Sequence, residues 1–272
     1  MGRTTWNLVR TGALPLVFIV SGAACGAMGD LFEAATESMA AVVLPPSEEV
    51  ELGRQLAAEV ERQATLHPDA SIQSYVAGIG EKVSSHADNT AEEITYSFKV
   101  IKDDSSINAF ALPGGYIYVY SGLLLEADNE AELAAVLSHE TAHVSERHAA
   151  ERVATAYGIE RVAAVVTGED PSMVSEIVTG VLGQGALLTY GREQESEADD
   201  VGLDLQIESG YDPHAFVTFF RKLGSGSRMP TLLSSHPHPE DRIIAIQREI
   251  ERRGDVPDFR GTQRYQEIRS KV

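Results

Sequence analysis

Two histidines four positions apart, with a glutamate beside the first, are the residues best suited to chemistry in this 272-residue chain: His139-Glu140-Thr141-Ala142-His143. On an α-helix, positions i and i+4 share a face, so both imidazoles can point at one metal ion. Glu140 is then placed to take a proton from a water at that ion. Zinc favours imidazole nitrogen, and a catalytic zinc keeps one position open for water. Such a site needs at least one further protein ligand. The only cysteine is Cys25, in an N-terminal leader, so thiolate ligation is excluded for the mature domain and there is no disulfide framework.

His148 is the nearest further candidate. On a continuous helix it would lie about half a turn round from His139, so a surface or structural role is expected for it. An extended motif with Gly at 146 and a third His at 149 is also absent, because these positions hold Glu146 and Ala149. The run from Gly191 to Asp200 (GREQESEADD) offers better material. In the gluzincin pattern a Glu on a second helix ligates zinc, and an Asp four residues later orients a ligating His. Of Glu193, Glu195 and Glu197, only Glu195 has an Asp at that spacing, Asp199. The competing reading is a solvated acidic helix face. With the upstream motif, the expected ligand set is His139, His143 and Glu195 around one Zn2+ per chain, with Asp199 behind.

The elements that must hold these residues are legible in outline. A helix starts near Asp128-Asn129, where Asn129 and Glu132 resemble a capping box. It buries Leu133, Val136 and Leu137 and is expected to run through Val144 toward Arg152. Upstream, Ile94, Tyr96, Phe98 and Val100 alternate with polar residues, marking a strand. Two extended runs, 107–112 and 116–120, flank Pro113-Gly114-Gly115 and predict a β-hairpin. The backbone of Asn108, Ala109, Phe110 and Ala111 is a candidate substrate strand if it lies at a sheet edge, where an extended peptide could pair with it. Sequence does not say which strand is the edge, and plain sheet core is the alternative. Two scaffold helices come earlier, one capped by Ser47 with Glu48 and Glu49 in its first turn, the other over Ala70 to Ser84. Residues 162–188 are apolar and broken at Gly168-Glu169-Asp170-Pro171, giving two packed helices or a flap; neither half could cross a membrane.

The composition, 43% hydrophobic and 23% charged, is that of a globular domain with a sizeable core. A formal charge of −19 and a pI of about 4.7 argue against a nucleic-acid or anionic-membrane partner. Arg3 and Arg10, the apolar run from Gly12 to Val20 and the small residues before Cys25 read as an export signal, too short to be a permanent span. Cys25 at its end suits lipidation, although Gly22 departs from the usual lipoprotein pattern; an ordinary cleaved signal is the alternative. The expected organisation is a signal over 1–24, a tether over 25–46, a metallopeptidase domain over 47–253 and a tail over 254–272. The expected fold class is α+β, a mainly helical zincin domain with a small sheet or hairpin beside the metal-binding helix.

Five segments taken together, 107–124 (INAFALPGGYIYVYSGLL), 137–148 (LSHETAHVSERH), 191–202 (GREQESEADDVG), 210–216 (GYDPHAF) and 234–243 (SSHPHPEDRI), resemble the metallopeptidase family of the CAAX prenyl endoproteases and HtpX. The likeness is to its soluble periplasmic members of the BepA and LoiP type. It implies zinc-dependent cleavage of envelope proteins, with quality control of misassembled outer-membrane proteins as the task and the outer-membrane assembly machinery as a partner. It also implies that His236 sits near the zinc, assisting the oxyanion or plugging the open position, with Arg242 nearby. Without it, His236 is a loop residue held by Pro237. The rival expectation is a chaperone-like or regulatory binding protein with a mostly closed zinc site.

Overall fold

The computed structural model describes residues 44–88, 94–183, 189–225, 231–237 and 239–272. The expected signal, Cys25 and the tether up to residue 43 lie outside the described residues.

Helix α1 (Pro46–Gln63) places Leu52, Leu56 and Val60, all fully buried, on one stripe. It begins at a proline, whose missing N–H costs nothing in a first turn. Ser47 therefore lies inside the helix and, contrary to expectation, makes no capping bond. Helix α2 (Ala70–Ser84) has the expected bounds and is capped by Asp69, which accepts from Ser71 N at 2.7 Å.

Three strands follow: β1 (Ser97–Ile101), β2 (Ala109–Leu112) and β3 (Tyr116–Tyr120), in the order β1-β3-β2. The expected hairpin is present. β2 pairs antiparallel with β3, from Ala109 opposite Val119 to Leu112 opposite Tyr116. Its turn needs Gly114 at φ 74°, a left-handed value that favours glycine. β1 pairs in parallel on the other side of β3, so β2 lies at an edge of the sheet. The period of two sorts the side chains between two cores. Ala109, Ala111, Ile117 and Val119 enter the larger one, while Phe110, Leu112, Tyr118 and Tyr120 enter the smaller.

A short helix α3 (Ser121–Glu126) leads to α4 (Glu130–Ser145), every residue of which is buried. Asn129 caps it, accepting from Glu132 N at 3.0 Å, while the Glu132 carboxylate receives Asp128 N at 2.9 Å. Next come α5 (His148–Tyr157), α6 (Ile159–Val166), α7 (Pro171–Leu182), α8 (Arg192–Glu208), α9 (His214–Ser225), α10 (Thr231–Ser235), α11 (Pro239–Arg253) and α12 (Thr262–Arg269). α6 and α7 are two packed helices split near Gly168, and they join α1 in the smaller core.

Two expectations are corrected. The metal helix does not continue to Arg152: it stops at Ser145, and Arg147 adopts a left-handed φ of 63°. That costly conformation is held by distant partners, with Arg147 Nε 2.7 Å from Glu49 Oε2 and Nη2 2.5 Å from Leu44 O. The segment after residue 253 is not a free tail. Tyr265 is 1% exposed and donates to Leu124 O at 2.8 Å, and Arg260 O accepts from Ala131 N at the start of α4. Among the described residues no helix is long and apolar enough to cross a membrane.

Candidate metal centre

α4 and α8 cross at the site. Gly202 permits the approach, because a Cβ there would lie 3.1 Å from the backbone N and Cα of His139. Across that contact α4 presents His139 and His143, one turn apart, and α8 presents Glu195 and Asp199, also one turn apart. α10 ends immediately before His236, which is 2% exposed, and α11 supplies Arg242, 6% exposed.

Four buried donors converge. Ligand atoms of His139, His143, Glu195 and His236 all lie within 4.8 Å of one another. The Nε2 atoms of His139 and His143 are 3.1 Å apart. Two nitrogens on one tetrahedral zinc would be separated by about 3.3 Å, so the imidazoles already stand at the spacing of a shared ion. Glu195 Oε1 is 3.5 Å from His143 Nε2, and Oε2 is 3.6 Å from His139 Nε2. His236 Nδ1 completes the group, 2.9 Å from Glu195 Oε1 and 3.1 Å from His139 Nε2. Three imidazoles and a carboxylate are donors that zinc accepts.

The surrounding residues hold this set in orientation. Asp199 Oδ1 lies 3.1 Å from His139 Nδ1, the arrangement that turns Nε2 of that ring toward an ion. Asp199 is itself clamped by Arg242, whose Nε and Nη2 donate to Oδ2 and Oδ1 at 2.7 and 2.6 Å. The same guanidinium pairs with Glu195 and lies 4.7 Å over the Phe220 ring. On the far side, His143 Nδ1 is 2.9 Å from His148 Nδ1, and His148 Nε2 is 3.3 Å from Glu197 Oε2. His148 is thus buried against a candidate ligand rather than exposed. The break at Arg147 starts a new helix, so the angular argument from a continuous helix does not apply to it.

Charge is arranged in the same sense. Burial raises the Glu195 carboxyl, but the neighbouring His236 and Arg242 outweigh it and hold the group well below the usual carboxylate range. Burial keeps His143 well below the ordinary histidine value. Burial and Arg242 press His139 down, yet its bonds to Asp199 and Glu195 carry it up to about 9. A metal ligand must be deprotonated, so a cation held on His139 would compete with that proton. Glu140 differs from all of these. It is fully buried, its carboxyl is raised by burial, and neither oxygen has a hydrogen-bond partner. His236 Nε2 stands 3.4 Å from Oε1.

The model of peptidase family M48 matches residues 70–250. The chain belongs to peptidase family M48. It is 31% identical over 209 residues to the beta-barrel assembly-enhancing protease of Escherichia coli K12, an alignment covering 72% of this chain and 42% of that protein. Metalloprotease LoiP of the same organism is 29% identical over 241 residues, 86% of this chain and 93% of LoiP. The mitochondrial metalloendopeptidase OMA1 of Schizosaccharomyces pombe is 33% identical over 159 residues, 57% and 47% of the two chains. The chain spans less than half the length of the beta-barrel assembly-enhancing relatives.

Sequence reasoning overlooked Tyr190. Its ring lies face to face with His143, centroids 3.8 Å apart and planes 14° apart, and it is 3% exposed. The only sequence signal was its position beside Gly191, the residue that opens the ligand helix.

Proposed function

We propose that this M48 member is a zinc-dependent endopeptidase that holds one zinc per chain on His139, His143 and Glu195. One observation carries the reading: four buried donors converge beside a glutamate whose two buried oxygens have no partner. A bound zinc supplies Lewis acidity, polarising the scissile carbonyl and acidifying the attacking water. Glu140 takes a proton from that water as its oxygen bonds to the carbonyl carbon. It then delivers the proton to the amide nitrogen as the carbon–nitrogen bond breaks. A raised Glu140 pKa suits both halves of that exchange. Asp199 orients His139, and Arg242 fixes Asp199 and Glu195.

The edge position of β2 supports a substrate that extends along Asn108, Ala109, Phe110 and Ala111, pairing through its backbone. A small apolar niche lined by Val136, Phe216, Phe219, Phe220 and Leu232 adjoins His139 and Glu140. The names of the relatives and the leader-like N-terminus support envelope proteins as substrates, in quality control of misassembled outer-membrane proteins with the assembly machinery as partner. They likewise support a periplasmic location with a lipid on Cys25.

A second reading rests on His236. Its Nδ1 stands among the candidate ligands, where it would occupy the position a substrate needs. A chain resting in that state would bind partners and cleave little. Casein hydrolysis with and without a chelator tests the first reading, and activity that survives complete metal removal would defeat it. His236→Ala separates the two: activity rises if the ring is a plug and falls if it is a required donor.

A further inference from the structure

Hydrolysis builds negative charge on the scissile carbonyl oxygen, and a preorganised donor aimed at that oxygen is usually worth a large part of the rate. His236, the oxyanion donor that the family resemblance implies, and Arg242 beside it are both engaged. The His236 ring stands inside the ligand group, with Nδ1 2.9 Å from Glu195 and Nε2 3.4 Å from Glu140. The Arg242 guanidinium bonds Asp199 through Nε and Nη2 and pairs with Glu195 through Nη1.

Tyr190 has what they lack. Its hydroxyl is buried without a hydrogen-bond partner, a costly state that a ligand's acceptor would relieve. Its ring is fixed by stacking on His143 and lies 5.5 Å from His236. Its backbone N–H donates to Ser235 O at 3.2 Å, tying it to the residue before His236, while Gly191 beside it opens the helix that carries Glu195. The phenol is thus held between His143 and the His236 segment.

We propose that the Tyr190 hydroxyl is a catalytic hydrogen-bond donor to the oxyanion that forms on the scissile carbonyl. The stacked ring sets its direction, and the missing hydrogen bond is the one that the substrate completes in the transition state. A phenol is protonated at neutral pH, so the hydroxyl is available there as a donor. This rests on the hydrolytic reading of the site given above.

The test is Tyr190→Phe, which keeps the stacked ring and removes only the hydroxyl. Three quantities are read on the full chain: zinc content by mass spectrometry, kcat and KM on a fluorogenic peptide that the wild type cleaves, and Kd for the phosphinic isostere of that peptide. The expected result is unchanged zinc and KM, with kcat lower by about 10²-fold. The phosphinic peptide should bind more weakly by a similar factor, because it presents the tetrahedral oxyanion. Tyr190→Leu, lacking the ring as well, should also lose zinc affinity. If Tyr190→Phe keeps kcat and phosphinic affinity within about twofold of wild type, or loses zinc, the proposal is wrong. Glu140→Gln run in parallel separates the two layers. Wild-type turnover in that variant would remove the hydrolytic reading, whereas an inactive Glu140→Gln beside an unimpaired Tyr190→Phe removes only this inference.

Discussion

Two of the three buried glutamates on helix α4, ten residues apart, are in opposite circumstances. Glu130, in its first turn, receives the Tyr75 hydroxyl at 2.6 Å on Oε2 and the Tyr211 hydroxyl at 2.8 Å on Oε1. Glu140, in the middle, is more deeply buried and receives nothing on either oxygen. The same side chain on the same helix is satisfied by two tyrosines at one end and left unsatisfied beside one stacked tyrosine at the other. Native proteins rarely leave a buried polar group unpaired, and an unpaired one tends to mark a site that works on a ligand. The Glu130 group ties α2 and α4 to the start of α9. The Glu140 group is assembled for a partner that comes and goes.

That contrast yields graded outcomes. The largest effect is expected from Glu195→Ala, which should lose both bound zinc and hydrolysis, since a three-ligand site reduced to two histidines holds the ion poorly. Retained zinc in that variant, measured by mass spectrometry after dialysis, would move the ligand assignment elsewhere. Next comes Asp199→Asn, which leaves the ligand set intact but weakens the orientation of His139. Zinc affinity by competition with a chromogenic chelator should fall about 10- to 100-fold. The Glu130 end should respond in stability alone. Tyr211→Phe removes one bond to a buried carboxylate and should cost about 1–3 kcal/mol in denaturant unfolding, with zinc content and kcat unchanged. A loss of activity there at full stability would erase the distinction between the two ends.

The smallest effect concerns the C-terminal segment. Asp212 accepts from His214 N at 2.9 Å and from Arg260 Nε at 2.8 Å. Burial raises its carboxyl, but the His214 and Arg260 bonds prevail and hold it below the usual value. A carboxyl depressed in the folded state adds stability above its unfolded pKa and loses it as pH falls through the folded one. The Tm difference between wild type and Asp212→Asn should therefore be present at neutral pH and shrink in acid. A difference that widened in acid would contradict the sign.

Much of the site was legible because its logic is local. The i, i+4 spacings of His139 with His143 and of Glu195 with Asp199 are properties of one helix each, and Pro113-Gly114-Gly115 announces a turn by its own backbone. What escaped depends on contacts between distant parts of the chain. The α4 break at Arg147 is fixed by Glu49 and Leu44, about a hundred residues earlier, so no capping signal marks it. The burial of His148 follows from that break. Tyr190 stacks on His143 across 47 positions, and no periodicity encodes such a pairing. The segment beyond residue 253 reads as a tail, and its one fully buried helix residue, Tyr265, carries no periodic signal. His236 and Arg242 entered only through the family resemblance; taken alone, His236 read as a loop residue.

On the proposed reading Glu140 is a working base beside a metal ion, whereas Glu130 is a packing residue. Glu140→Gln and Glu130→Gln, measured together for zinc content, peptide hydrolysis and Tm, test it most directly. Glu140→Gln should keep its zinc, melt no lower than wild type and lose hydrolysis by about 10³-fold, while Glu130→Gln should melt lower and hydrolyse normally. A Glu140→Gln variant that hydrolyses peptide at the wild-type rate, or that fails by unfolding as Glu130→Gln should, would contradict it.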